Sequence, residues 1–408
     1  MSSGASMGGA PGILYISYDG MLEPLGQSQV VAYLEKLAPG RRIHLVSFEK
    51  AADWADEKRR QAMREWLAKA SIGWHPLRYH KRPSVLATIH DIIVGSALAI
   101  RLAHRHQLGI LHARSYVAAF MALLAKDPVG AAFLFDMRGF WADERVDGGL
   151  WRGGGRLYRV AKRMERKFLL AADHVVTLTH ASEGEIRRFD YLEGRAPPIS
   201  VIPTCADLDR FTIQGLPQRD PFVLGYVGGV GTWYLLDEML ECFRLLRAEQ
   251  PDAQLLVVNR NEHGLIRNRA AAAGIDESSL EIVAADHRDM PQHIARMSAG
   301  MALVKPAYSK VASAPTKLAE YLGCGVPCLG NTGVGDMADI LEGRRVGVAL
   351  NGFSENELAE GVRRLVQLVR EPAVQERCRL AALDLFSVDS GVAAYAAIYD
   401  RLAERAAR

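Results

Sequence analysis

Two successive series of short apolar segments alternate with helix-like stretches along this chain, and this alternation limits the folds open to it. The first series lies at 13–17, 43–48, 110–113, 131–136 and 175–178, and the second at 222–227, 254–258, 281–284, 300–304 and 326–329. Short apolar strands that alternate with helices indicate parallel βαβ units. The sequence therefore predicts an α/β fold with two doubly wound units, each built on its own parallel sheet.

A stretch without clear periodicity separates the two series. Residues 204–219 include Pro217 and have no helical or strand pattern, so we predict a linker there. The chain has 408 residues, which is long enough for two domains of about 200 residues each. We expect an N-terminal domain over 1–204, a C-terminal domain over 205–385 and a closing helix over 386–408.

Composition excludes several classes of protein. A net charge of +3 gives no global case for nucleic-acid binding. The five cysteines are sparse and odd in number, which favours small buried thiols in a reducing compartment over a disulfide framework.

Residues 1–11 have neither a basic start nor a long apolar core, so we do not expect a signal peptide. The stretch 85–102 is the most apolar, but charged residues interrupt it, and a buried or amphipathic helix is the better interpretation.

The strongest local motif lies in the second unit. Pro315 predicts the first turn of a helix, because the N–H that proline lacks would be unpaired there. The free amides of Thr316 and Lys317 would then face outward at the positive helix end, which favours a diphosphate. Glu320 lies one turn further in, where its carboxylate can accept hydrogen bonds from two ribose hydroxyls. The alternative is a capped helix with a solvated glutamate.

This segment resembles the donor-binding signature of the family 4 retaining glycosyltransferases of the GT-B fold. Residues 315–327 match the form Pro-Thr-Lys-Leu-x-Glu-Tyr-Leu-x-x-Gly-x-Pro. Shorter resemblances lie at 201–211 and 225–228, and those at 24–29 and 136–141 are to a bacterial polysaccharide-type subgroup. The resemblance implies two Rossmann-like domains that face each other across a cleft, with the closing helix returning to the N-terminal domain. It also implies retaining transfer of a sugar from a nucleoside-diphosphate sugar to a hydroxyl acceptor.

The sequence departs from the family pattern at one position. The family often carries two glutamates with seven residues between them. Glu320 corresponds to the second glutamate, and Ala312 stands where the first would be. By resemblance the first glutamate contacts the donor sugar, so its absence affects recognition of that sugar more than nucleotide binding.

A glycine turn in the second unit is a further candidate for donor binding. Gly228, Gly229 and Gly231 follow a predicted strand, and glycine lets a phosphate approach the backbone closely. The turn lacks the third glycine of a dinucleotide fingerprint, and the next strand is followed by Arg260, which suits a phosphate better than an NAD ribose. A plain strand–helix turn is the alternative.

Three residues are candidates for the chemical step. Lys305 and Lys310 flank the loop after 300–304, and a lysine near the diphosphate neutralises the leaving group as the glycosidic bond breaks. The alternative for each of them is a surface lysine without a role in the chemistry. Asp136 follows a strand of the first unit and is a candidate base or orienter for the acceptor hydroxyl, although a structural pair with Arg138 is equally plausible. Asp207 and Asp209 form an Asp-x-Asp pair, but they lie in the predicted linker, so we expect no metal there.

The N-terminal domain is expected to supply the rest of the cleft. Gly26 and Gln27 lie in a loop before a predicted helix and are expected to contact the donor phosphate or sugar across the domain gap; the alternative is a helix cap at Ser28. The acceptor side is assigned to polar residues that follow two strands: His112, Arg114 and Arg138. His112 alternates within a strand, however, and is more often a core residue in that position.

One predicted helix of the N-terminal domain is amphipathic and basic. Its arginines recur every three or four residues at Arg152, Arg156, Arg159, Arg163 and Arg166, and Leu157, Val160, Met164 and Phe168 form the other face. Such a helix can rest on an anionic membrane and admit a lipid-linked acceptor, although a solvated face is equally plausible.

We therefore expect a cytoplasmic glycosyltransferase, at most peripheral on the inner face of the cell membrane. It would use a nucleotide-sugar donor and a saccharide or lipid-linked acceptor in cell-surface polysaccharide or glycolipid assembly, and nothing in the sequence calls for a cofactor, a metal or a nucleic acid. Two other classes remain open. One is a nucleotide-sugar epimerase or hydrolase of the same fold, and the other is a degenerate transferase that binds its donor without turnover.

Overall fold

The structure is a computed structural model that describes residues 11–215 and 220–406. Residues 1–10, the segment 216–219 with Pro217, and the last two residues lie outside the described residues. The first half of the described chain forms a seven-stranded parallel sheet in the order β3-β2-β1-β4-β5-β6-β7. Its strands are β1 (Gly12–Ser17), β2 (Ile43–Glu49), β3 (Ile72–Arg78), β4 (Leu108–Arg114), β5 (Ala132–Asp136), β6 (His174–Thr177) and β7 (Ile199–Val201).

Helices cover both faces of this sheet. They are α1 (Pro24–Gly26), α2 (Ala32–Leu37), α3 (Ala51–Trp54), α4 (Glu57–Lys69), α5 (Ser84–His106), α6 (Ser115–Val129), α7 (Trp141–Asp147), α8 (Arg156–Ala171) and α9 (His180–Arg187). A π-helical turn, Gln27–Val31, joins α1 to α2. The strand order reverses at β1 and β4, and ligands of open α/β sheets bind outside the carboxyl ends of strands at such a switch point.

The second half forms a six-stranded parallel sheet in the order β10-β9-β8-β11-β12-β13. Its strands are β8 (Val223–Val227), β9 (Gln254–Val258), β10 (Leu280–Val283), β11 (Ala299–Met301), β12 (Cys328–Asn331) and β13 (Gly347–Leu350). Its helices are α10 (Leu236–Glu249), α11 (His263–Ala272), α12 (Met290–Ile294), α13 (Thr316–Gly323), α14 (Met337–Gly343), α15 (Glu355–Arg370) and α16 (Val374–Phe386), followed by the terminal α17 (Val388–Ala406). The predicted α/β fold with two doubly wound sheets is confirmed.

The terminal helix α17 packs on the N-terminal domain. Val388, Tyr395, Ile398 and Leu402 are buried in one apolar cluster with residues of β1, β2 and α2. The hydroxyl of Tyr33 in α2 also accepts a hydrogen bond from the Cys205 amide at 3.2 Å. Part of the core of the first domain therefore comes from the last segment of the chain.

Some element boundaries differ from the prediction. β3, β7 and β13 were not predicted. β3 contains glycine, histidine and proline and is mostly half-buried at the sheet edge, so it lacks an apolar run. β12 begins at Cys328 rather than Val326. α10 begins at Leu236 rather than Trp233. The five cysteines are free and buried, as expected.

Two helices of the N-terminal domain expose apolar side chains. α5 is the one helix among the described residues that is long and apolar enough to cross a membrane by length and composition. One of its faces packs on α6 through residues such as Gly95 and Ala99, while Val85, Leu86, Ile89 and Ile93 are exposed.

α8 begins at Arg156, so Arg152 lies outside it, and Leu157 and Val160 are exposed rather than packed. The buried stripe of α8 is Ala161, Glu165, Phe168 and Leu169.

Candidate active site

Helix α13 is fixed against the carboxyl end of β8. The ring of Tyr321 lies on the sheet at Gly300, where a Cβ atom would stand 2.7 Å from the ring. Its hydroxyl accepts a hydrogen bond from the Val227 amide at 2.9 Å. A glycine in the central strand β11 thus lets the helix approach closely, and the N-terminus of α13 lies where α/β sheets bind ligands.

The N-terminus of α13 has free backbone amides. Pro315 is the N-cap residue rather than the first helical residue, and among the described residues no side chain caps the helix. The first hydrogen bond across this end is donated by Leu318 to the Pro315 carbonyl at 3.1 Å. The amides of Thr316 and Lys317 therefore retain the donors that suit an anion.

Lys317 is buried between two aromatic rings. Its Nζ atom lies 3.6 Å from the centre of the Tyr234 ring and 4.1 Å from that of Tyr226, and it donates to the Tyr226 hydroxyl at 3.0 Å. Burial lowers the pKa of Lys317 to about 7. An anion that binds nearby would therefore favour the protonated form of this amine.

Glu320 is buried and held by a histidine. Its Oε1 atom lies 3.0 Å from Nε2 of His287, which follows β10, and Nδ1 of His287 lies 2.7 Å from the Arg210 guanidinium. The three side chains form a chain of polar contacts from the interdomain segment to the start of α13. His287 therefore fixes the orientation of the carboxylate that is predicted to bind ribose.

The glycine turn lies next to Lys317. Gly228 has a φ of +124°, which side chains rarely adopt, and a Cβ atom there would stand 3.3 Å from the Lys317 Nζ atom. The Tyr226 hydroxyl donates to the Gly229 carbonyl. A Cβ atom at Gly229 or Gly231 would approach the carboxylate of Glu262, at 3.3 Å and 3.9 Å. The structure therefore brings the turn and the start of α13 together, as a common donor site requires.

Lys305 and Lys310 both contact Trp233, which lies just after this turn. The Lys305 amide donates to the Trp233 carbonyl at 2.8 Å, and its side chain is exposed. Lys310 is buried, with Nζ 3.6 Å from the centre of the Trp233 ring and 2.9 Å from Oε1 of Glu144. Since Glu144 lies on α7, the Lys310 cation is paired with a carboxylate of the other domain.

A short 3₁₀ turn at Tyr308–Ala312 docks on the N-terminal domain. Tyr308 donates to Glu185 at 2.9 Å, and the Ser309 amide donates to Asp147 at 2.9 Å. Ala312, at the position of the first family glutamate, is buried and packs with the core of the N-terminal domain. A carboxylate at 312 would therefore require the turn to take a different position.

The three strand-end residues assigned to the acceptor side, His112, Arg114 and Arg138, lie close to the candidate base Asp136, and all of these except Arg138 are buried. His112 contacts the Tyr399 hydroxyl through Nδ1 at 2.7 Å, and Asp136 accepts from the Tyr395 hydroxyl at 3.1 Å. Both tyrosines lie on α17. This corrects the expectation of an open acceptor surface at His112 and Asp136, because the terminal helix covers them, and it favours the core alternative for His112.

The two arginines of this cluster differ in their environment. Arg114 is buried and pairs with Asp19 at 2.7 Å. Arg138 is 13% exposed and lies 4.0 Å from Asp136, as in the structural alternative. Burial alone would raise the pKa of Asp136, but Arg138, His112 and Arg114 hold it below its usual value. Asp136 is thus a stabilised anion, which is unfavourable for a general base.

The loop that was expected around Gly26 is helical. The helix starts at Pro24, and Ser28 is not a cap, because its hydroxyl donates backward to the Pro24 carbonyl at 3.0 Å. A Cβ atom at Gly26 would stand 2.1 Å from the Gly20 carbonyl, so the glycine serves close packing. Gln27 is half-buried, and its side-chain amide reaches the Leu22 carbonyl at 3.4 Å.

Arg260 lies at the rim of the candidate site. It is exposed and forms an ion pair with Asp286 at 2.7 Å. Asp286 directly precedes His287, so the pair borders the polar contacts of Glu320. A phosphate would have to compete with Asp286 for this arginine.

An interdomain cavity of about 540 Å³ also reaches the start of α13. Pro315 and Leu318 line it, together with residues of both domains such as Thr179, Asp336 and Phe386. Lys317 and Glu320 project from a different face of the helix and are not among its lining residues. The cavity and the cluster around Glu320 are therefore separate spaces beside the same helix end.

Several residues of this site were not predicted. Trp233 and Tyr234 follow the glycine turn, and no motif marks them as partners of lysines. Glu144 acts across the domain gap, which a linear pattern does not reveal. His287 could have been found, because polar residues directly after a strand of a doubly wound sheet lie at its ligand-binding edge.

Comparison with protein families places most of the chain in two known domains. Residues 28–205 match the glycosyl transferase 4-like domain, and residues 209–379 match the glycosyl transferases group 1 domain. No curated protein matches the chain.

Solved structures share the fold over nearly the whole chain. Sucrose-phosphate synthase from Thermosynechococcus elongatus superposes with a TM-score of 0.69 at 14% identity, covering 96% of this chain and 99% of that one. A glycosyltransferase from Rickettsia africae gives 0.68 at 14% identity, with 96% and 98% covered. HepE from Anabaena in complex with UDP gives 0.66 at 15% identity, with 96% and 100% covered.

Proposed function

The chain belongs to the family 4-like GT-B glycosyltransferases, which join the two domains matched at 28–205 and 209–379, and we propose that it is a retaining enzyme that transfers a sugar from a nucleoside-diphosphate sugar to a hydroxyl acceptor. One observation carries this proposal. The uncapped start of α13 lies beside a buried carboxylate, Glu320, and a buried amine, Lys317, at the carboxyl edge of the sheet.

In the proposed mechanism the protein stabilises the leaving group. The amides of Thr316 and Lys317 bind the departing diphosphate, and Lys310 and Lys305 take up its charge as the glycosidic bond breaks. Lys317 takes up a proton from solvent when the diphosphate binds beside it. Glu320, oriented by His287, holds the ribose hydroxyls. The glycine turn at 228–231 lets the phosphates approach the backbone.

UDP is the first donor nucleotide to test. The similar structure from Anabaena contains UDP. The experiment is a thermal-shift panel of UDP-, GDP- and ADP-sugars, because a ligand that binds the native state raises its melting temperature. The stabilising donor is then incubated with hydroxyl acceptors, and the anomeric configuration of the product is read by NMR.

Each outcome separates the proposed class from its rivals. Transfer with the donor's anomeric configuration supports the proposal, and inversion overturns the retaining mode. An epimer or rapidly released free sugar without acceptor indicates an epimerase or hydrolase. Donor binding without turnover across the acceptor panel indicates a degenerate transferase, which the alanine at 312 would favour.

We also propose that the N-terminal domain rests on the cytoplasmic face of an anionic membrane, where a lipid-linked acceptor for polysaccharide or glycolipid assembly would be available. The arginines of α8 and the exposed apolar side chains Leu157 and Val160 lie on one amphipathic helix. The exposed residues Leu86 and Ile93 of α5 add apolar surface to the same domain. Basic and apolar side chains together favour binding to anionic lipid.

Vesicle sedimentation tests this location. We expect the protein to sediment with vesicles that contain anionic lipid and not with neutral ones. Leu86→Ser with Ile93→Ser should weaken sedimentation, whereas Leu265→Ser, an exposed leucine on α11 of the other domain, should not. Sedimentation that is equal for all variants, or absent with anionic vesicles, contradicts membrane contact through this surface.

A further inference from the structure

Two histidines and an aspartate converge at the edge of the N-terminal domain, away from the donor site. Nδ1 of His80 lies 2.6 Å from Oδ1 of Asp91, and Nδ1 of His90 lies 3.4 Å from the same oxygen. His80 belongs to the loop between β3 and α5, and His90 and Asp91 are neighbours on α5. This is the one group of three or more such ligand residues, in the part of the chain that the structure describes, whose ligand atoms lie within 4.8 Å of one another.

The second oxygen of Asp91 is already occupied by protein donors. Oδ2 accepts a hydrogen bond from the Tyr18 hydroxyl at 2.9 Å and one from the His80 backbone amide at 3.1 Å. Asp91 is buried, so these bonds fix its carboxylate with Oδ1 directed at both imidazoles. Outer hydrogen bonds of this kind orient the ligands in protein metal sites.

We propose that His80, His90 and Asp91 bind a divalent transition-metal ion of the Zn²⁺ class. Two imidazoles and one carboxylate suit Zn²⁺ and its neighbours, whereas Mg²⁺ and Ca²⁺ prefer sites built from oxygen alone. The His80 and His90 side chains are 38% and 60% exposed, so a fourth coordination position faces solvent.

The distances suit this ligand set after a small movement. Metal–ligand bonds of about 2.0–2.1 Å place tetrahedral ligand atoms about 3.3 Å apart. The His90–Asp91 separation of 3.4 Å already fits this geometry. The His80–Asp91 separation of 2.6 Å must widen, and the partly exposed His80 ring has room to rotate.

The ion would tie the loop after β3 to the first half of α5. Tyr18 follows β1, so the site lies at the carboxyl edge of the N-terminal sheet, on the side assigned to the acceptor. It would act by ordering this edge rather than in glycosyl transfer, since the lysines proposed to stabilise the leaving group, Lys305, Lys310 and Lys317, lie in the other domain. The expectation that the transfer chemistry uses no metal is unaffected.

Titration of the full-length, EDTA-treated protein with ZnCl₂ tests the proposal. We expect calorimetry to show one Zn²⁺ per chain, and Co²⁺ in its place to give the visible absorption of a low-symmetry site. MgCl₂ should give no binding. His90→Ala should weaken Zn²⁺ binding by more than about 100-fold, because the cost of losing a ligand exceeds that of an outer-shell change.

A matched control lies on the same helix. His104 is an exposed histidine of α5 about 14 residues further along, roughly 21 Å away at the helical rise, and His104→Ala should bind Zn²⁺ like the wild type. Tyr18→Phe leaves all three ligands in place and should weaken Zn²⁺ binding by about 10- to 100-fold through the loss of its bond to Asp91. No Zn²⁺ binding, or binding that His90→Ala does not reduce, overturns the proposal in favour of a purely hydrogen-bonded cluster.

Discussion

The Nζ atom of Lys310 lies 2.9 Å from Oε1 of Glu144, so a buried lysine of the C-terminal domain is neutralised by a carboxylate of the N-terminal domain. The same lysine is a candidate for binding the donor diphosphate. A diphosphate that reaches it must therefore compete with Glu144 or share the cation with it. In the proposed mechanism, this contact would couple occupation of the donor site to the distance between the domains.

Replacing Lys310 should slow transfer more than replacing Lys305. For Lys310→Met we expect kcat/KM to fall about 10²–10³-fold, the usual cost of removing one group that stabilises developing negative charge. Lys305→Met should have a smaller effect, because that side chain is exposed. Steady-state kinetics with the stabilising donor measures both. Unchanged kcat/KM in Lys310→Met would remove it from the mechanism.

Glu320→Gln should weaken binding of the nucleoside diphosphate. The change keeps the side-chain shape but removes the charge that strengthens bonds to ribose, and hydrogen bonds to a charged group contribute about 1.5–3 kcal/mol each. We expect a loss of about 10- to 100-fold in calorimetric affinity. Glu360→Gln, on the exposed face of α15, is the control. Equal affinity in both variants would contradict the assignment of Glu320.

Nucleotide binding should take up a proton through Lys317. Its pKa of about 7 in the free protein leaves the amine mostly neutral at pH 8, and a bound diphosphate favours the charged form. Affinity should therefore decrease as the pH rises above 7. At pH 8 the calorimetric enthalpy should depend on the ionisation enthalpy of the buffer. Lys317→Met should abolish that dependence and Lys305→Met should retain it; buffer-independent enthalpies in the wild type would refute the idea.

A cluster of histidines should make the N-terminal domain sensitive to acid. Burial, together with His106, His75 and Arg42, lowers the pKa of His44 to about 4. The unfolded chain binds this proton near pH 6.5, so stability falls as the pH drops from 6.5 toward 4. In His44→Gln we expect a smaller decrease of the melting temperature between pH 7 and 4.5, and the exposed His104→Gln should behave like the wild type. The same slope in all three proteins would argue against His44.

Tyr399→Phe should destabilise the protein. The change removes the hydroxyl that contacts Nδ1 of buried His112, and an unsatisfied buried polar group costs about 1–3 kcal/mol. Tyr79→Phe is the matched control, because the Tyr79 hydroxyl makes no hydrogen bond within the described ranges. Urea unfolding measures both. An equal free energy of unfolding for the two variants would show that the contact to α17 contributes nothing.

The fold was largely predictable because it follows from local apolar periodicity. Strands such as β1 and β8 are continuous apolar runs, and glycine or proline mark many of their ends. β3 was missed because an edge strand is only partly buried and therefore does not need an apolar sequence. Its Trp74 and His75 give no periodic signal.

The candidate site was predictable where one segment carries the chemistry. The start of α13 could be located from Pro315 alone, because helix-start preferences are local. Contacts between distant segments could not be predicted in this way. Local sequence does not indicate that Glu144 pairs with Lys310 or that Tyr395 lies against Asp136. Each contact depends on how the two domains meet.

The position of α17 after the second domain affects how the first domain folds during synthesis. A ribosome releases the helix that covers β4 and β5 only after it has made the whole second domain, so the interior of the first domain closes only after the second domain has been synthesised. Premature termination near residue 385 would leave every strand of the first sheet encoded yet expose Tyr33 and Ile110 to water. Such a product would be a target for chaperones and proteases, although the sequence of that domain is intact.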